Sequence, residues 1–361
     1  MRLIQMKKSK HLNFINQHIY VGIDVHSKQW TISIMSGDLF LGSFTQAPDA
    51  TVLIKHLRKN YPGGRYHCVY EAGFSGFGLY EDLLKNSIDC IVINPADVPT
   101  THKEKDRKTD KFDSRKLCKS LQRRELEGIY VHDPLTYEER CLIRGRALII
   151  RDQTRCKNRI KSLLKFFSIN ITDEKVKAYW SNKYIKYLEG IETPYRYASD
   201  CLKSYIEQLR YFRKIINDQT RQIRKLSLTE KYSSDVKMLM TIPGVSLLSA
   251  MTLLSEIGDI NRFKTVDRLC GYIGLIPSEH SSGERQNKSI ITRRGNKVLR
   301  SIIIESSWIA IRKDPELLMC YNTLGKRMKK TRAIMTIARK LICRIVHILK
   351  NKEPYKICVN C

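Results

Sequence analysis

The chain has 361 residues, 42% of them hydrophobic, and carries 65 Lys and Arg against 36 Asp and Glu for a net charge of +29. Apolar residues run through the whole length, which excludes a disordered basic tail. No apolar run approaches the roughly 18 residues of a spanning helix, so no membrane partner is expected. A surplus of positive charge on this scale repels itself and calls for a polyanion, nucleic acid first.

The N-terminus MRLIQMKKSKHLNF lacks the apolar stretch of a signal peptide, and the 11 Cys are odd in number and scattered. Both features lead us to expect a cytoplasmic protein with reduced thiols.

Residues 18–46 read as three antiparallel strands broken at Ser36-Gly37-Asp38 and Gly42. Helical spacing follows over 48–60, then a strand at 66–71, a Gly-rich turn, a short helix in LYEDLLKNS and a buried-type strand ended by Pro95. The order βββαβαβ predicts a mixed sheet with helices packed on it. Residues 101–128 hold 10 Lys or Arg against 6 acids, and their second half has helical spacing through Phe112, Leu117 and Leu121. IYVHDP (129–134) is expected as a closing strand.

Two long stretches, about 136–167 and 197–228, are helical in pattern with dense charge on one face. The first carries nine basic residues and one acid, Asp152, between Arg140 and Lys165. The pattern suits a dimerising arm and a nucleic-acid arm equally well. From 236 the chain reads helix, Pro-Gly turn, helix, loop, helix. A basic loop or hairpin over 283–300 then opens a helix, and helices at 295–312 and 326–350 complete the chain. The predicted class is α/β plus all-α, in three ranges: 18–134, a helical region 135–230, and a mainly helical domain 236–350.

Four acids carry chemistry. Asp24 lies within the first strand between Val21, Ile23 and Val25, where a carboxylate is costly unless paired or turned outward. Glu71 ends a second apolar strand. Asp110 and Asp113, in KTDKFDSRK, share one face if that segment is helical. Two like charges there repel, and either a bound cation or the neighbouring Lys108, Lys111 and Arg115 relieves them. Carboxylates on a strand, on a second strand end and on a later helix describe an RNase H-like nuclease sheet. Mg²⁺ suits such a set, because it takes oxygen ligands and needs few from the protein.

In the last third, TIPGVSLLSAMTLLSEIG resembles a helix-hairpin-helix, whose backbone N–H groups suit a phosphate; an ordinary helix turn reads about as well. In GYIGLIPSEHSSGERQNKSIITRRGNKVLR, Ser281 and Ser282 sit beside Gly283 in a loop with six Lys or Arg and one acid from Glu284 to Arg300. Such serines are usually turn residues, yet an activated hydroxyl can attack a phosphodiester. Arg293, Arg294, Lys297 and Arg300 are candidates to hold that phosphate.

Taken together, YVGIDVHS, VYEAG, INP, KTDKFDSRKL, TIPGV, EIGDINRF, GYIGLIPSEHSSG and RRGNKVLR resemble the DEDD transposases of the IS110/IS1111 insertion-sequence family, from Tyr20 to about Arg312. The resemblance implies a RuvC-like domain in which Asp24, Glu71, Asp110 and Asp113 bind Mg²⁺ or Mn²⁺. It implies a coiled coil over the helical region, and a nucleophilic serine just before the Gly of the SG motif. That points to Ser282, with Ser281 second. It further implies recombination of donor and target DNA guided by a structured RNA of the element, and a homo-oligomer in which the acids of one subunit serve the serine of another. The family's KTDxxDA reads KTDKFDS here, with Ser114 in place of Ala. Two other classes remain open. One is a RuvC-like Mg-dependent endonuclease or Holliday junction resolvase that uses the acids without the serine, and the other is a non-catalytic nucleic-acid-binding protein.

Overall fold

The computed structural model describes residues 14–98, 110–169, 179–193, 195–282, 285–292 and 294–357. The chain divides into two compact units, Met1–Val131 and His132–Cys361.

In the first unit the elements run β1 (His18–Val25), β2 (Trp30–Ser36), β3 (Leu39–Gln46), α1 (Ala50–Asn60), β4 (Arg65–Glu71), α2 (Gly78–Lys85), β5 (Asp89–Ile93) and α3 (Asp110–Gln122). The strands form one mixed sheet in the order β3-β2-β1-β4-β5. The pairs β1–β2 and β2–β3 are antiparallel, and β1–β4 and β4–β5 parallel. The βββαβαβ order expected from the sequence is the order found.

Strand alternation sends Ile19, Val21 and Ile23 to one face. There they pack with Leu53, Ile54 and Leu57 of α1 and Leu79 and Leu83 of α2. The Asp49 carboxylate starts α1 by accepting from Thr51 N at 2.7 Å. The opposite face carries α3, with Leu117 against Val69 and Ile93. The approach of α3 is closest at Gly22, where an added Cβ would lie 2.1 Å from Ser114 O and 2.6 Å from Cys118 N. Only a residue without a side chain admits the helix here.

The closing strand expected at 129–134 is absent. Ile129 N donates to Val92 O at 2.7 Å, and the chain then leaves the sheet. Pro134 has no N–H for a ladder, and Asp133 is committed to capping the next helix, its Oδ1 accepting from Thr136 N at 2.9 Å.

Among the described residues, the second unit is helical apart from one hairpin. Its elements are α4 (Pro134–Phe166), α5 (Asn182–Glu189), α6 (Arg196–Leu226), α7 (Glu230–Leu239), α8 (Leu247–Ile257), α9 (Val266–Ile273), β6 (Pro277–Ser282), β7 (Arg285–Ile291), α10 (Lys297–Lys313), α11 (Pro315–Gly325) and α12 (Lys330–Asn351). Helices α4, α5 and α6 share a core in which Cys156, Ile160 and Leu164 meet Tyr184, Ile185, Leu188, Leu202, Ile206 and Leu209. The i, i+4 spacing within α4 and α6 is what brings these stripes together. A larger core joins α8, α9, α10 and α12.

Helix α11 was not expected. Asp314 starts it by accepting from Leu317 N at 3.1 Å, with Pro315 in the first turn. No helix among the described residues is long and apolar enough to cross a membrane.

Candidate functional site

Parallel pairing of β1 with β4 sets the positions of the first two acids. The register pairs Gly22 with Val69 and Ile23 with Tyr70, so the next step along both strands brings Asp24 beside Glu71. Both lie at the carboxyl ends of their strands. Gly22 faces α3, and Val69 packs on it. Side chains two residues further on project to the same side. Asp24 and Glu71 therefore share the face that α3 covers, beyond the point where the helix touches Gly22.

Helix α3 runs from Asp110, so its first turns carry Asp113 and Ser114 to this end of the face. The side chain of Asp110 lies outside the described residues. Among the described residues, no three of His, Cys, Asp and Glu form a group that could hold a metal ion.

Two neighbours refine this end of the sheet. His26 Nε2 lies 3.3 Å from Asp24 Oδ2, an ion-pair geometry that sequence reasoning missed although the D-V-H spacing offered it. Ser114, the departure from the family's alanine, is fully buried and its Oγ lies 2.9 Å from Ser33 Oγ. Ser33 pairs with Gly22 across β1–β2 and also donates to Ser43 Oγ at 3.3 Å. The hydroxyl at 114 thus has a buried partner where an alanine would have none.

In the second unit, Ser281 and Ser282 fall in β6, opposite Gln286 and Arg285 of β7. Their side chains, and Arg293 altogether, lie outside the described residues. The base of this hairpin is tightly built. Gly274 and Gly295 both have positive φ, 83° and 109°, which favours glycine. A Cβ on Gly295 would lie 2.7 Å from Gly274 Cα, and one on Gly274 only 1.9 Å from Arg300 Nη2. Arg300 braces the same spot, donating from Nε to Ile273 O at 3.3 Å and from Nη2 to Arg294 O at 2.5 Å. Arg294 and Lys297 are exposed. Lys297 is the first residue of α10, where a cation opposes the helix dipole and an anion would relieve it.

Behind the hairpin lies a centre that the sequence reading did not single out. Glu256 is fully buried. Its carboxylate accepts from Arg144 Nε at 2.5 Å and Nη2 at 2.7 Å, from Arg140 Nη2 at 3.0 Å and from Asn296 Nδ2 at 2.8 Å. Burial pushes the carboxyl up, but the Arg144 bonds, the charges of Arg140 and Arg144 and the Asn296 bond outweigh it and hold the pKa at about 2. Asn296 in turn caps α10 through Val298 N and Leu299 N, and its own N–H donates to Tyr272 O at 2.8 Å. Tyr272 Oη closes the circuit by donating to Glu256 O at 3.1 Å. Nearby, burial and the charges of Arg140 and Arg262 press the His132 pKa down to about 4, so this imidazole is neutral at pH 7. One signal was present in the sequence: Glu256 is the single acid of an otherwise apolar or small helix, LLSAMTLLSEI.

Comparison with known proteins finds two family models, the N-terminal of which runs past Val131 into α4 of the second unit. A family model described as "Transposase IS116/IS110/IS902 family" matches residues 236–322, and an IS110-type DEDD model described as "Transposase" matches residues 21–169. A Sinorhizobium fredii protein bearing the transposase name y4qE is 28% identical over 80% of this chain and 71% of its own length. The transposase for insertion sequence element IS1111A of Coxiella burnetii is 24% identical over 70% and 69%, and that for IS1533 of Leptospira borgpetersenii 28% identical over 68% and 71%. With the acid-bearing sheet and the serine-bearing hairpin each inside a matched range, the chain belongs to the IS110/IS1111 family of DEDD transposases.

Proposed function

We propose that this transposase is an RNA-guided DNA recombinase that cuts and rejoins strands with a metal-binding acidic tetrad and a serine nucleophile. The observation that supports it most is the in-register placement of Asp24 and Glu71 on adjacent parallel strands, at the end of the face where α3 begins. On this reading the first unit is an RNase H-like catalytic domain over 18–134. Residues 135–230 form a coiled-coil arm that joins copies into a homo-oligomer. Residues 236–350 form the transposase domain, with 241–258 a helix-hairpin-helix on DNA.

The donor set is all carboxylate oxygen, the chemistry a hard divalent cation takes. Asp24, Glu71, Asp110 and Asp113 would hold Mg²⁺ or Mn²⁺, which when bound supplies positive charge beside the scissile phosphate. Ser282, with Ser281 the second candidate, attacks through Oγ. The Oγ–P bond forms as the bond from phosphorus to the leaving strand oxygen breaks, and the serine proton passes through solvent to that oxygen. Attack by the hydroxyl of the other strand reverses the step and frees the serine, without net hydrolysis. Arg293, Arg294 and Lys297 hold the phosphate, and Arg300 keeps the hairpin base in place.

The test expresses the protein with its flanking element RNA and donor and target plasmids. Asp24→Ala and Ser282→Ala should each abolish recombination, as should omission of the RNA. A covalent DNA adduct should form only with Ser282 intact. Normal recombination by both Ser282→Ala and Ser281→Ala overturns the serine mechanism, and an active Asp24→Ala in Mg²⁺ overturns the tetrad. Cutting without any adduct would make the protein a resolvase-like nuclease that uses water.

A further inference from the structure

Charged and aromatic side chains also gather at the opposite end of the sheet. At the amino ends of the parallel strands lies a cavity of about 460 Å³, lined by His18, Arg58, Arg65, His67 and Asp89 among others. The register sets Tyr20 beside His67 and His67 beside Asp89, a row across β1, β4 and β5. This row lies four residues before Asp24 and Glu71, about 13 Å at the rise of a strand, with α3 seated between.

The hydrogen bonds of the row fix what it can bind. Asp89 Oδ2 lies 3.2 Å from His67 Nδ1, which holds the proton on that nitrogen. His67 Nε2 is then an acceptor, and His18 Nδ1 lies 2.8 Å away to donate to it. The rings of His18, Tyr20 and His67 are stacked, with centroids of the two imidazoles 5.0 Å apart. Both nitrogens of His67 are thus used within the protein, and two guanidiniums line the same space. A metal cation finds neither a free His67 ligand nor a favourable field there. An anion finds Arg58 and Arg65 against Asp89, which is the single acid among the described lining residues.

We propose that this cavity binds a backbone phosphate of a nucleic-acid strand, with Arg58 and Arg65 as its fixed cations and His67, bonded to His18, as a pH-dependent one. The groups facing the imidazoles are Tyr20 on β1, Arg65 and Tyr66 on β4, Arg58 on α1 and Asp89 on β5. Burial raises the Tyr66 pKa against the opposing pull of Arg58, so that phenol stays neutral. Burial, with His18 and Arg65, lowers the His67 pKa, and Asp89 opposes them. A phosphate at the cavity would favour the charged form of His67 against the burial that lowers its pKa, so binding should tighten toward acid pH. The proposal needs only a nucleic-acid ligand, and neither the serine nor the metal tetrad.

Its test is a binding measurement on the full-length protein, so it fails or succeeds independently of recombination. Fluorescence anisotropy is read with single-stranded RNA, single-stranded DNA and duplex DNA across a salt series. The double variant Arg58→Gln, Arg65→Gln should weaken at least one of the three by about tenfold and lower its salt slope by about one. The class that loses affinity identifies the strand. The double variant Arg58→Lys, Arg65→Lys should retain most of the affinity, and His67→Gln should flatten the rise in binding toward acid pH.

Wild-type affinity and salt slope in a folded Gln double variant, for all three probes, overturn the site. Should that variant unfold, an unchanged pH profile in His67→Gln overturns it instead. Competition by polyglutamate as strong as by polyphosphate rejects the phosphate assignment. A zinc-induced rise in melting temperature that His18→Gln removes rejects it in favour of a metal.

Discussion

The two units hold their candidate functional groups by different means. In the first, Asp24 and Glu71 are set by backbone: adjacent strands in parallel register, and a helix admitted by the bare Cα of Gly22. In the second, the hairpin bearing Ser281 and Ser282 is anchored by side chains. A buried carboxylate gathers two arginines and an asparagine, and that asparagine starts the helix following the hairpin. The contrast teaches where each unit is fragile. A register survives most side-chain changes and fails where the backbone loses its clearance. A charge centre fails when any one member goes.

The most severe way to break the second arrangement is Glu256→Ala. It leaves the largely covered Arg140 without its carboxylate, and such losses cost up to about 3–5 kcal/mol. Urea denaturation should show that drop. Nuclear magnetic resonance should show the amides of Val298 and Leu299 losing their environment as Asn296 lets go.

The same centre predicts an acid limb. The Glu256 pKa, about 2, lies below its ordinary value of 4.5. Its contribution is therefore complete above about pH 4.5, where the unfolded group has ionised, and is lost as the pH falls toward 2. Glu256→Gln should remove that part of the acid slope while leaving the rest. A slope equal to the wild type's would show that the carboxylate is not charged in the fold.

For the first arrangement the sharpest probe is Gly22→Ala. The new Cβ must push α3 away from the sheet, since it would sit 2.1 Å from a backbone oxygen. Overpacking of this kind costs about 1–3 kcal/mol. Hydrogen exchange should speed up in α3 while β4 and β5 stay protected. Unaltered exchange would show that register, not the helix, sets this end of the sheet.

A smaller effect is expected from Ser114→Ala. It removes one hydroxyl but leaves Ser33 bonded to Ser43, so about 0.5–1.5 kcal/mol should be lost. A Ser33→Ala, Ser114→Ala double mutant should cost less than the sum of the two singles.

The sequence was informative where the causes are local. Alternation, Gly turns and Pro95 mark the order βββαβαβ, and the i, i+4 stripes mark α4 and α6. IYVHDP misled because its alternation mimics a strand while Asp133 and Pro134 belong to the helix that follows. Helix α11 is short, and its start depends on Asp314, which Arg344 holds from 30 residues away. The Glu256 centre was out of reach for the same reason: Arg140 stands 116 residues before it, and only the fold brings them together. Of the acids, the alternation could say which strands carry Asp24 and Glu71, but not that those strands are neighbours in parallel.

The paired glycines at the foot of the hairpin have a further consequence. Because Gly274 and Gly295 approach closely and Arg300 bonds across them, the strands beyond are fastened at a collar. The tip rides on a fixed mount, so an alanine at either glycine should displace it as a whole.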